Sequence, residues 1–99
     1  MFGPYYRRID PPDVIQKIQE SGELWGSSPR NYFTTDFLKV KAIEGPLPAD
    51  QRGFEFETDV APDVGSPSGQ GYWSNGREGV RIEDGYAKIK VHVRKIQLQ

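Results

Sequence analysis

Cysteine is absent from this chain of 99 residues, and histidine occurs once, at His92. The lack of cysteine excludes disulfide bridges, thiolate metal sites and cysteine nucleophiles. A single histidine excludes a metal site built from two histidines of the chain, and we expect no bound metal. No apolar run approaches the roughly 20 residues that a membrane-spanning helix needs, so we also expect no membrane partner.

Positively and negatively charged residues are nearly equal in number. Lysine and arginine number 13, aspartate and glutamate number 14, and the formal net charge is −1. A strongly basic nucleic-acid binder is therefore not the first interpretation. The 11 glycines and 8 prolines indicate many turns and few long elements. The length predicts a single domain over residues 1–99.

One helix is well marked near the start of the chain. Asp10 as the N-cap and Gly22 as the C-terminal stop predict a helix over about residues 11–21. The apolar side chains of this segment share one helical face: Val14, Ile15 and Ile18. A second, short helix is predicted for "DFLKVKAIEG", where Asp36 is the capping residue.

The remaining patterns favour strands. Residues 2–9 and the aromatic, β-branched run "NYFTT" ending at Thr35 are typical of short strands. Residues 54–60 alternate between apolar and acidic side chains, which predicts a strand with one wet face. The Asp84-Gly85 pair predicts a hairpin between a strand at about 79–83 and one that starts at Tyr86. In the latter, the parity of the apolar side chains changes after Val93, which indicates a bulge or an end there. The order predicts an α+β fold with a mainly antiparallel sheet and an N-terminal helix.

Four stretches together resemble a known superfamily. They are "YYRRI", a helix ending "IQESGELWGSS", the strand "NYFTTD" and the late segment "NGREGVRIEDGYAKIKVHV". In this order they resemble the ADP-ribosyltransferase fold, in which an aromatic-arginine strand precedes a helix and a strand that ends in a Ser/Thr pair. The chain is also similar to the small C-terminal toxin domains of bacterial polymorphic toxins.

The resemblance implies that NAD is the substrate and that Glu78 is the catalytic glutamate. Cleavage of the nicotinamide–ribose bond passes through a cation like an oxocarbenium ion, which a carboxylate stabilises. Arg7, which follows an aromatic residue as the family's arginine does, would hold the diphosphate. Thr34 and Thr35 would position the ribose and the glutamate.

An aromatic side chain is expected to stack on the nicotinamide ring, and the candidates are Tyr32, Trp73 and Trp25. The sequence departs from the family pattern at Gly76, where an acidic or amide residue often precedes the catalytic glutamate by two places. This departure makes hydrolysis of NAD as plausible as transfer of ADP-ribose to a macromolecular acceptor. The family also implies a toxin secreted within a larger protein and delivered into the cytoplasm of a target cell. An immunity protein is then the expected partner.

A second interpretation is a metal-independent ribonuclease of the barnase type. Such enzymes use a glutamate, an arginine and a histidine on one face of a sheet. Glu55, Arg81 and His92 each lie on a predicted strand, and His92 has the side chain best suited to proton transfer near neutral pH. A third interpretation is a protein-binding module that uses the long Gly/Pro/Ser loop at residues 61–71.

Overall fold

A computed structural model describes residues 1–26, 29–65, 69–74 and 76–98. The elements are β1 (Phe2–Asp10), α1 (Pro12–Ser21), β2 (Glu23–Trp25), β3 (Arg30–Thr34), α2 (Phe37–Glu44), β4 (Arg52–Thr58), β5 (Val64–Gly65), β6 (Gln70–Ser74), β7 (Arg81–Glu83), β8 (Tyr86–Lys90) and β9 (His92–Leu98). The expected α+β class with antiparallel sheets is confirmed.

Two antiparallel sheets make up the fold. The larger has the strand order β5-β6-β3-β1-β4-β9, and the smaller has the order β2-β8-β7. Helix α1 packs against strands of both. The core consists of side chains from α1 and the two sheets: Tyr5, Ile15, Ile18, Leu24, Phe33, Phe54, Phe56, Trp73, Ile89 and Val91. In this core the aromatic rings contact one another, for example Phe33 and Trp73 with centroids 4.7 Å apart.

Helix α1 forms as its pattern predicts. Ile15 and Ile18 are buried in the core, and the N–H of Gly22 donates to the carbonyl of Ile18. Gly22 has φ +69°, a left-handed conformation that glycine adopts without a steric penalty. The predicted N-cap is wrong, because Asp10 still belongs to β1 and Pro11 takes the cap position without a side-chain hydrogen bond.

Helix α2 also forms as predicted. The Asp36 carboxylate accepts a hydrogen bond of 3.0 Å from the backbone N–H of Lys39. This contact satisfies one of the helix's unpaired N-terminal donors. Phe37 and Val40 bury the side of the helix that faces the sheet.

The C-terminal segment forms two strands rather than one. Strand β8 pairs with β2 and β7 in the small sheet, whereas β9 pairs with β4 at the edge of the large sheet. The change occurs at Val91, whose N–H donates to the carbonyl of Gly22. The predicted irregularity after Val93 is confirmed, because Phe56 pairs with Val93 while Glu55 pairs with Lys95.

Strand β6 was not predicted from the sequence. Its five residues pair antiparallel with the whole of β3, so that Gln70 lies opposite Thr34. The run "SGQGYWS" has two glycines and weak alternation, which indicates a loop on local criteria. Pairing with β3 gives Gln70–Ser74 its extended form. In the part of the chain that the structure describes, no helix has the length and apolar character needed to span a bilayer.

Candidate functional site: the Arg7 cleft

The candidate site is a cleft of about 330 Å³ between β1, β3 and the end of α2. We call it the Arg7 cleft; its lining residues are Tyr6, Arg7, Arg8, Tyr32, Phe33, Thr34, Val40, Glu44 and Gln70. Strands β1 and β3 share one registered pair, Tyr6 opposite Thr34. Beyond that pair, the side chain of Arg7 connects the two strands.

The Arg7 guanidinium is oriented by β3. Its Nη1 donates to Oδ1 of Asn31 at 2.6 Å and to the carbonyl of Tyr32 at 3.1 Å. Asn31 is fully buried, and its Nδ2 donates to the carbonyls of Leu24 and Ala87 in the small sheet. This one amide therefore joins the two sheets and fixes the direction of Arg7.

Asn31 is a site residue that the sequence motifs do not predict. It alternates with Phe33 on the inward face of β3, where both are buried. An amide at an inward position of a strand, beside a buried phenylalanine, is an informative signal, because a buried amide requires hydrogen-bond partners.

Arg8 has a different role from its neighbour. Its side chain is 13% exposed and forms an ion pair of 2.9 Å with Glu44. It also donates to the carbonyl of Gly45 at 2.5 Å, and it lies near those of Glu44 and Pro46. These contacts satisfy carbonyls at the C-terminal end of α2, where a cation is favoured by the helix dipole. Arg8 thus attaches α2 to β1 and closes one side of the cleft.

The threonine pair fixes the start of β6. The N–H and the hydroxyl of Thr35 both donate to the carbonyl of Gly69, at 2.6 and 3.0 Å, and the Thr34 hydroxyl donates to it at 3.3 Å. Gly69 has φ +82°, and a Cβ there would lie 2.7 Å from the Thr35 hydroxyl oxygen. The glycine is required for this contact, and the contact sets Gln70 at the rim of the cleft.

The two predicted threonines face different cavities. Thr34 is buried and lines the Arg7 cleft. Thr35 is exposed and lines a separate cavity of about 280 Å³ beside Tyr6, Asp36 and Glu55. Thr35, predicted to contact the ribose, is therefore not among the residues that line the Arg7 cleft.

One predicted aromatic ring remains available at the cleft. Tyr32 is 53% exposed, and its ring lies 5.8 Å from that of Tyr72. Trp73 is fully buried, and its indole N–H donates to the carbonyl of Val60 at 2.9 Å. The prediction that Trp73 stacks on a ligand is wrong, because its ring is enclosed by Tyr5, Phe33 and Phe56.

Glu78 does not reach the Arg7 cleft. It lies in the turn before β7 and lines another cavity together with Phe2 and Arg77. Phe2 and Arg7 are five residues apart on β1, a distance of about 16 Å along a strand. The resemblance predicts that the strand after Glu78 borders the active site. The strands that pair with Thr34 are β1 and β6, and β6 begins at Gln70.

The ribonuclease residues are not brought into one site either. Arg81 and His92 line a groove of about 960 Å³. Glu55 lies in the cavity that Thr35 lines, and it is paired in register with Tyr6 on β1 and Lys95 on β9. The strand residue opposite His92 is Glu57.

Tyr6 is a titratable group of the cleft whose pKa is shifted by its environment. Burial, and then a hydrogen bond with Glu55, raise the pKa of the Tyr6 phenol. Both effects favour the neutral phenol over the phenolate. Tyr6 is thus a neutral hydroxyl at the rim near neutral pH.

The cleft combines two held guanidinium groups, of which that of Arg8 is paired with Glu44, one exposed aromatic ring, and hydroxyl and amide groups from three strands. This set can bind a molecule that carries phosphate, a sugar hydroxyl and an aromatic ring. Among the described residues, no three side chains of histidine, aspartate or glutamate gather into a metal-binding group.

Comparisons of the chain with protein-family models, with curated proteins and with solved structures found no match, so the geometry of the cleft carries the functional argument.

Proposed function

We propose that the protein binds NAD in the Arg7 cleft and cleaves its nicotinamide–ribose bond. The observation that carries the proposal is the convergence of Arg7, Tyr32, Thr34 and Gln70 on one cleft. The ADP-ribosyltransferase-like order of sequence stretches supports the same assignment, because the aromatic-arginine strand and the threonine strand are neighbours in the sheet.

Arg7 would bind the diphosphate. A guanidinium offers a planar fork of N–H donors that matches phosphate oxygens. Its contacts with Asn31 and Tyr32 hold it at the cleft before a ligand arrives, which lowers the entropy lost on binding. Tyr32 supplies an exposed ring on which nicotinamide can stack.

Gln70, rather than Glu78, would face the ribose. Its amide can donate to and accept from ribose hydroxyls, and its carbonyl oxygen carries partial negative charge toward the cation that develops in the transition state. The carboxylate of the cleft, Glu44, is already paired with Arg8 at 2.9 Å. A neutral amide stabilises a cation less than a carboxylate does, so we expect a slow reaction.

The reaction is balanced with water as acceptor. The C–N bond between ribose and nicotinamide breaks, the electron pair leaves with neutral nicotinamide, and water adds to the sugar carbon with release of one proton. A nucleophile of a macromolecule in place of water gives ADP-ribosyl transfer.

We further propose the biological setting that the resemblance implies: a toxin domain delivered from a larger secreted protein into a target cell and neutralised by an immunity protein.

The test is release of free nicotinamide from NAD, with and without cell lysate. We expect Arg7→Gln and Gln70→Ala each to reduce the rate by about tenfold or more, since each removes a charged or polar contact at the reacting substrate. Glu78→Gln is the matched control and should stay within about twofold of the wild type, because Glu78 lies outside the cleft.

Circular dichroism would establish that the variants are folded. If the wild type releases no nicotinamide under either condition, the proposed reaction is wrong. If Glu78→Gln abolishes release while Gln70→Ala does not, the reaction takes place at the turn before β7 instead.

A further inference from the structure

A second concave surface lies away from the Arg7 cleft, between the end of α1 and strands β8 and β9. It has a volume of about 960 Å³. We call it the basic groove, after the five basic side chains that line it: Arg81, Lys88, Lys90, His92 and Arg94. Two carboxylates, Glu23 and Asp59, also line it.

Basic residues are clustered in strands β8 and β9. Residues 86–98 contain four lysines and arginines and no aspartate or glutamate, although the whole chain has a net charge of −1. Lys88 and Lys90 alternate with the buried Ala87 and Ile89, so their side chains stand on the face opposite the core. Along a strand, such alternate positions are separated by about 7 Å.

The ion pairs in the groove are partly exposed to solvent. They join basic side chains to carboxylates: Arg81 to Glu23 at 2.7 Å, Lys88 to Glu83 at 3.4 Å and Arg94 to Glu57 at 3.4 Å. These side chains are between 21% and 55% exposed. Such surface pairs contribute about 0–1 kcal/mol and are easily exchanged for other anions. Lys90 is exposed and makes no ion pair or hydrogen bond through its side chain with any residue that the structure describes.

We propose that the basic groove binds the phosphate backbone of a polynucleotide. Lysines act as point charges toward phosphates, and such contacts need no particular base sequence. An acidic protein is the competing partner, but protein interfaces commonly centre on aromatic or arginine anchors. No phenylalanine, tyrosine or tryptophan is among the described residues that line this groove, and its two arginines, Arg81 and Arg94, are already paired with Glu23 and Glu57 at 2.7 and 3.4 Å. The groove is independent of the Arg7 cleft and does not rest on the proposed NAD chemistry.

The experiment measures the fluorescence anisotropy of a short labelled single-stranded RNA, with single-stranded DNA of the same sequence in parallel. We expect the wild type to bind at low salt, with a slope of log K against log salt of about −2 for about three phosphate contacts. A preference for RNA or DNA identifies which polynucleotide is bound. Equal affinity for RNA and DNA indicates that the groove recognises only the phosphate backbone.

Lys90→Glu is expected to weaken binding by about tenfold or more, and Lys90→Gln by less, since only the former introduces repulsion. Lys39→Glu on α2 is the matched control: it makes the same charge change at an exposed lysine outside the groove and should stay within about twofold. Arg7→Gln should bind the RNA as the wild type does, which separates this proposal from the proposed NAD reaction.

Three results would overturn the proposal. One is absence of binding by the folded wild type at low salt. Another is an equal loss of affinity in Lys90→Glu and Lys39→Glu, which would reflect net charge alone. The third is binding of a polyglutamate peptide as tightly as RNA, which would assign the groove to an acidic protein partner.

Discussion

The Arg7 cleft and the basic groove use cations in different ways. In the cleft, Arg7 is fixed by a buried amide and a backbone carbonyl, and Arg8 is 13% exposed against the end of α2. In the groove, Arg81 is 55% exposed and bridges Glu23 and Glu83 on the surface. A guanidinium fixed by buried partners gives geometric selectivity, whereas cations on an open surface give attraction with little geometric selectivity.

The difference follows from what lies behind each surface. The cleft opens where β1 and β3 share a single registered pair, so a side chain connects the strands there. The groove covers part of the β2-β8-β7 sheet and the start of β9, which belongs to the large sheet. Its basic side chains project toward solvent, whereas Arg7 is held by a buried amide, so we expect specific recognition at the cleft and nonspecific electrostatic binding at the groove.

The largest effect should come from Asn31→Ala. The variant leaves the carbonyls of Leu24 and Ala87 without this donor and releases Arg7. We expect a loss of about 2–3 kcal/mol in the free energy of unfolding, together with loss of NAD cleavage. Urea unfolding measures the first effect and nicotinamide release the second.

Gln19→Ala, at an exposed position of α1, is the control for Asn31→Ala and should change the stability by less than about 0.5 kcal/mol. A loss as small as this in Asn31→Ala would contradict the role of Asn31 as the link between the two sheets.

The two arginine environments can be compared directly by stability. Arg8→Gln removes a mostly buried side chain that satisfies carbonyls at the end of α2, and we expect a loss of about 1–3 kcal/mol. Arg81→Gln removes exposed ion pairs and should cost less than about 1 kcal/mol. Equal losses of stability for Arg8→Gln and Arg81→Gln in urea unfolding would contradict the difference between a buried arginine at the cleft and an exposed one at the groove.

The smallest expected effect is at alkaline pH. The pKa of Tyr6 is raised above its ordinary value of 10.0 by burial and by the hydrogen bond with Glu55. Above about pH 10 the unfolded chain therefore loses the Tyr6 proton before the folded chain does, and stability falls as the pH rises.

Tyr6→Phe should lose less stability than the wild type between pH 9 and 11, where urea midpoints report the difference. A residual fall is expected from Tyr5, because burial raises its pKa as well. Tyr86→Phe, which removes an exposed hydroxyl, should follow the wild type. An identical fall in Tyr6→Phe and the wild type would show that the Tyr6 environment does not affect folding.

Part of the candidate site was visible in the sequence. Arg7, Tyr32 and Thr34 were selected from short motifs, and they lie together because β1 and β3 are neighbours. Glu78 and Trp73, which the resemblance and the need for a stacking ring also predict, lie elsewhere. A glutamate before a strand and an aromatic side chain give no information about which strand pairs with β3.

Gln70 and Asn31 show why the rest could not be predicted. Gln70 lies in a run that indicates a loop until its pairing with β3 is known. The function of Asn31 depends on carbonyls seven and 56 residues away in the chain. Such contacts come from the packing of distant segments, which neither periodicity nor capping signals encode.

The sequence alone determined the α+β class, both helices, the hairpin at Asp84-Gly85 and the bulge after Val93, because these depend on side-chain alternation and capping within a few residues. Only the tertiary structure decided that the chain changes sheets at Val91, that β6 joins β3, and that Arg7 shares its cleft with Gln70 rather than Glu78. The physical reason is that strand neighbours are selected by burial of the whole core, a property of many distant residues together.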